Sequence, residues 1–162
     1  LAAVASRLIP HPPNFAPVAA IALFGGAAFT SKRAAVLVPL AAMFLSDLVL
    51  GLSWITPLVY ASFALITRLG FWVRQRPAWT RTVNAVVASA VLFFVVTNFG
   101  VWALGAFYPK TLAGLGDCYV AAIPFFRNTL VSDLLYSALL FGGMALAEKR
   151  FARLREPAAV TA

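Results

Sequence analysis

What most constrains this chain is the recurrence of apolar runs of bilayer-crossing length, broken by short turns that carry most of its cations. The segment RLIPHPPNFAPVAAIALFGGAAFTSKRAAVLVPLAAMFLSDLVLG (7–51) sets the pattern: a polar, proline-stiffened loop, an apolar helix, a two-cation turn, then a second apolar helix carrying one carboxylate. A helix needs about 18 or more mostly apolar residues to cross hydrocarbon, and such runs recur to the end of the chain. Only 11% of residues are charged and 62% are hydrophobic, with mean hydropathy +0.90. Ordinary globular domains have roughly a quarter of their residues charged. The expected fold is therefore all-α: a polytopic membrane bundle of six transmembrane helices in one domain, 1–150, with a mobile cytoplasmic tail at 151–162.

The spans follow from proline, glycine and charge. Residues 1–9 read as the outer half of a first span whose earlier part is missing, and LAAVASRLI holds no complete signal peptide. The loop 10–15, PHPPNF, has three prolines and cannot continue a helix. Pro17 suits the first turn of a second span over 16–30, where its missing N–H is not needed. In that span Ala22 and Gly26, four apart, would let another backbone come close. A third span covers 34–51, with Pro39 expected to kink it. The link 52–56 precedes a fourth span over 57–73, and 74–81 reads as a polar turn. A fifth span covers 82–105, and 106–124 reads as a long link. The sixth span starts near Pro124 and ends at Arg150.

With six alternating spans, ten cations (Lys32, Arg33, Arg68, Arg74, Arg76, Arg81, Lys149, Arg150, Arg153 and Arg155) fall on one side. Arg7, Lys110 and Arg127 fall on the other. The positive-inside rule then places both termini in the cytoplasm and explains the net charge of +8 without nucleic acid. The single cysteine, Cys118, excludes an internal disulfide and a cysteine-rich metal site.

Polar groups at membrane depth are costly and tend to mark a site or pathway. His11, Asn14, Phe15, Trp54, Tyr108, Asp117, Cys118 and Tyr119 fall in the outward loops. Asp47, Asn98, Trp102, Arg127, Asn128 and Asp133 fall in the outward halves of their helices. This distribution fits a pocket open to the outside, lined by His11, Asn14, Phe15, Asp47, Trp54, Asn98, Trp102, Tyr108, Cys118, Tyr119, Arg127 and Asn128. Each group also has a plainer reading. Asp47 paired with Arg127 or Arg7 could simply fix helix packing. His11 could bond backbone, Cys118 could be inert, and the Trp and Tyr residues could form an interfacial belt. Arg127 and Asp133 stand about 600° apart at roughly 100° per residue, so they do not share a face. No paired-histidine motif, serine elbow, phosphate loop or i, i+4 carboxylate pair is present, so neither an enzyme nor a bound metal or cofactor is expected.

The proline-rich loop, the small-residue helix and FLSDLVLG (44–51) resemble the start of the substrate-binding S component of energy-coupling-factor vitamin transporters. The loops LSWIT and FYPKTLAGLGDCY stand where that family closes its pocket. The chain is also similar to a bacterial six-helix membrane family sharing PHPPNFAPVAA and TNFGVW. The resemblance implies a multi-pass protein of the bacterial inner membrane, binding a vitamin or cofactor-like small molecule, with cobalamin one candidate. The first, fourth and fifth spans would frame the pocket under a lid at 10–15. The implied partners are the small-molecule substrate, membrane lipids and an energy-coupling transmembrane subunit with ATPases. Two rivals are an accessory subunit of a respiratory or photosynthetic membrane complex, and a lipid enzyme using His11 or Asp117 as base.

Overall fold

A computed structural model describes residues 2–10 and 12–151. Among these residues there are six helices and no strand: α1 (Ala2–Leu8), α2 (Val18–Ala28), α3 (Lys32–Leu50), α4 (Thr56–Gln75), α5 (Trp79–Leu104) and α6 (Leu112–Arg150). Four of them, α3 to α6, are long and apolar enough to cross a membrane, while α2 is apolar but shorter. At about 1.5 Å per residue, α4 is roughly 30 Å long and α6 roughly 58 Å, against a hydrocarbon thickness of about 30 Å.

The bundle keeps an apolar exterior around an interior that mixes apolar and small polar side chains. Leu48, Val49, Val131, Leu139 and Leu146 are exposed, while Ser46, Ser62, Thr67, Ser89, Ser132 and Asp133 are buried. Most of the buried hydroxyls turn onto their own helix. Ser62, Thr67, Ser89, Thr97 and Thr129 each donate to the carbonyl four residues earlier, at 2.7–3.0 Å. With no water available, that bond satisfies a hydroxyl without a partner helix. An apolar exterior, over an interior in which small hydroxyl residues sit among apolar ones, suits a lipid solvent, and the chain reads as a membrane protein.

α2 is the hub. It packs most extensively on α4 and also touches α3, α5 and α6. Its sequence permits this because Gly26 lies against Gly70 of α4. A Cβ on Gly26 would meet the Thr67 carbonyl oxygen and come within 2.9 Å of the Gly70 Cα. Val18, Ala22 and Leu23 continue the contact into a core with Phe63, Ile66 and Val86.

Several boundaries differ from the sequence expectation. The second span is confined to Val18–Ala28 rather than 16–30, because Pro17 stands before the first helical residue and Phe29 is extended. The turn expected over 74–81 shrinks to 76–78. Its basic residues stay on helix ends by reaching sideways. Arg74 donates to the Phe29 carbonyl at 2.8 Å, and the Arg81 guanidinium lies 4.1 Å over the Trp72 ring.

The largest correction concerns 106–124. Only 105–111 is non-helical, and α6 runs from Leu112 straight through Gly114, Gly116 and Pro124. Thr111 caps it by accepting from the Gly114 N–H at 3.1 Å, and Gly114 fits closely under the Pro109 carbonyl. Glycine and proline end helices in water, but neighbouring helices support them in a membrane bundle. Helix α3 likewise passes through Pro39 without interruption.

Candidate functional site

The feature that makes a site is the proline-rich loop, which is tied to α6 through Pro13, Phe15 and Ala16 while Pro12, Pro13 and Asn14 stay exposed. Asn128 Nδ2 donates to the Pro13 carbonyl at 3.0 Å, and Ser132 Oγ donates to the Ala16 carbonyl at 3.2 Å. The Phe15 ring meets Tyr136 edge-on at 6.2 Å between centroids. These contacts hold the loop against the middle of α6. The turn is tight: the Phe15 N–H donates to the Pro12 carbonyl at 3.0 Å, and Asn14 takes the left-handed conformation, φ 60°. Asparagine tolerates that region better than most residues. Non-helical backbone in a membrane bundle is allowed where it borders a cavity, and Asn14 of this loop does so.

Beside the loop lies a groove with two lobes, one bordered by residues of all six helices and the other by the loop, α4, α5 and α6. One, of about 250 Å³, is bordered by Arg7, Asn14, Met43, Phe63, Phe93 and Asp133, among others. The second, of about 220 Å³, adds Phe94, Thr97, Asn98, Phe125 and Phe126. Asn14, Val59, Phe93 and Thr129 border both lobes. The walls are aromatic: Phe63 and Phe93 stand 5.4 Å apart between centroids, Phe94 and Phe126 4.9 Å.

Two carboxylates near the groove have opposite circumstances. Asp47 is held on every side: Arg7 Nη1 reaches its Oδ1 at 2.7 Å, and the Tyr60 hydroxyl donates to its Oδ2 at 2.7 Å. Arg7 Nη1 also donates to the Met43 carbonyl at 3.2 Å and to Ser46 Oγ. Of the two partners considered for Asp47 from sequence, Arg7 is the one present, and it ties α1 to α3. Asp133, 2% exposed, has no such company: its buried Oδ2 has no hydrogen-bond partner among the described residues. One turn further along α6, the buried Ser137 hydroxyl is also without one.

The structure scatters the other residues read from sequence. Asn14 and Asn98 border the groove, and Asn128 holds its loop. Asn98 also bonds back to the Phe94 carbonyl at 2.8 Å. Cys118 and Tyr119 lie on α6 rather than in a loop, donating to the α5 carbonyls of Asn98 (3.4 Å) and Val95 (2.8 Å). Trp102 donates to the Pro109 carbonyl at 2.9 Å, while Lys110 lies 5.9 Å from its ring and caps the end of α5 through the Trp102 and Gly105 carbonyls. Trp54 is exposed beside Gly105, and Tyr108 is half-buried in the 105–111 turn. Arg127 is exposed, and His11 lies outside the described residues. No group of three or more metal-ligating side chains occurs among the described residues.

Arg7, Phe63, Phe93, Thr129 and Asp133 were not in the expected lining. Asp133 and Arg7 had a signal, an acid inside an apolar span and a cation that could pair with Asp47. The phenylalanines had none, because a groove phenylalanine and a lipid-facing one look alike in sequence.

No curated protein and no solved structure matches the chain. Residues 1–158, nearly its whole length, match one family, and the chain is a member of that family of unknown function, DUF6580.

Proposed function

We propose that this is a binding and uptake protein of S-component type, which takes a small cofactor-like molecule into the groove beside the proline-rich loop. One observation carries the reading: a non-helical loop borders a two-lobed, aromatic-walled cavity beside a buried carboxyl whose Oδ2 has no hydrogen-bond partner among the described residues. Ligand sites combine an apolar wall with a few convergent polar groups in this way, with volumes of roughly 300–1,000 Å³. The loop would serve as the lid, and Asn14, Asn98 and Thr129 would orient the ligand. The resemblance of 10–17 and 44–51 to the start of the S-component chain adds to this.

In this reading the protein sits in a bacterial inner membrane with both termini cytoplasmic. It is not an enzyme, and it relies on an ATP-driven membrane partner or a tilt of the bundle for inward release. A panel of vitamins and cofactor precursors, cobalamin included, is expected to contain a compound that raises the melting temperature of the detergent-purified protein. A panel that leaves it unchanged, with other membrane polypeptides copurifying in mild detergent, would favour the accessory-subunit reading. That alternative draws on α6, where a side chain added at Gly116 or Gly143 would meet nothing within 4 Å.

A further inference from the structure

Charge at the groove points to what it would hold. Arg7 is neutralised by Asp47 at 2.7 Å, and Tyr60 takes the second oxygen of that carboxylate. The cation that borders the larger lobe is thus already paired. Asp133 borders the same lobe, 2% exposed, with Oδ2 unpartnered among the described residues. Its neighbours around that lobe do not compensate it. Asn14 comes from the loop, Phe63 from α4, Phe93 from α5 and Thr129 from α6, and the Thr129 hydroxyl donates to the Phe125 carbonyl. An unpaired acid inside a bundle costs free energy unless something binds it, and native structures retain such groups mainly where they act. The walls fit the same class of occupant, because aromatic faces attract cations as well as apolar bodies.

We infer that the groove is built for an organic cation, a small molecule whose protonated amine pairs with Asp133 while its apolar or aromatic body lies against the wall that the contacting Phe63 and Phe93 rings form. This rests on the small-molecule reading above and adds the sign of the ligand. Anionic vitamins and cofactors would find no free cation in that lobe, because Arg7 is already paired with Asp47.

The test uses three probes with one body: 2-phenylethylammonium, 2-phenylethanol and phenylacetate, titrated into the detergent-purified full chain by calorimetry at neutral pH. The ammonium is expected to bind at least tenfold more tightly than the alcohol, with phenylacetate weakest. Asp133→Asn keeps the shape and removes the charge, and it should erase the preference for the ammonium. Asp133→Glu should keep the sign of that preference. Unliganded Asp133→Asn should melt no lower than the wild type, since the native carboxyl lacks a partner; a carboxyl serving only to pack helices would make it melt lower. If the alcohol or phenylacetate binds as well as the ammonium, the cation inference is overturned and the small-molecule reading stands. If none of the three binds at 10 mM and no compound of the wider panel does either, both are overturned.

Discussion

At the scale of single residues, the firmest interaction is the Arg7–Asp47–Tyr60 cluster, because it joins three helices through charged hydrogen bonds. Removing one partner of a buried pair typically costs about 3–5 kcal/mol, since the other charge is left stranded. Arg7 keeps some exposure, so Asp47→Ala is expected to cost about 3 kcal/mol, read as a fall in melting temperature in detergent. Tyr60→Phe loses one hydrogen bond to a carboxylate and should cost about 1.5 kcal/mol. The double variant Arg7→Met with Asp47→Leu should recover most of the Asp47→Ala loss, and a double variant as damaged as Asp47→Ala would show that the pair does more than neutralise itself. Asn14 offers a backbone test: Asn14→Gly should be tolerated at φ 60°, while Asn14→Val should destabilise by roughly 1–2 kcal/mol. Asp47 was legible from sequence as an acid needing a cation, and the choice of Arg7 over Arg127 was not. That choice depends on which helix lies beside α3, and spacing along one helix cannot show it.

At the scale of elements, the α2–α4 crossing depends on two glycines in backbone contact. Gly26→Ala and Gly70→Ala each place a Cβ against main-chain atoms of the other helix, which cannot swing aside. Each should lower folded yield sharply and cost at least about 3 kcal/mol, near the upper end of overpacking losses. Gly143→Ala, with nothing within 4 Å, should leave stability within about 0.5 kcal/mol and serves as the control. If all three behave alike, the crossing is not as described. The Ala22–Gly26 spacing announced a close contact, and the structure supplies its partner. The continuity of α6 was not legible. GLG at 114–116 and Pro124 are helix breakers by the rules of aqueous chains, and only the support of α5 and the 105–111 turn overrides them. The sequence reading therefore put Cys118 and Tyr119 in a loop, whereas they bond α5 from a helix.

At the scale of the whole molecule, the order of apolar runs and basic turns foretold an all-helical membrane chain. The groove was beyond its reach, because its lining comes from a loop and several helices far apart in the chain, and hydropathy does not show which of them meet. If both termini are cytoplasmic, a single cysteine placed at Ala106 in a Cys118→Ser background should react with an impermeant thiol reagent in intact cells. One placed at Ala78 should react only after lysis. The reverse pattern would invert the bundle.

The central claim, that the groove holds a small molecule, is tested most directly by native mass spectrometry of the purified wild type beside Val59→Trp. Val59 borders both lobes, so an indole there would fill the space between them. The wild type should carry a small-molecule mass released at moderate collision energy, and Val59→Trp should fly without it. A bare wild type, or the same adduct on both proteins, would contradict the claim.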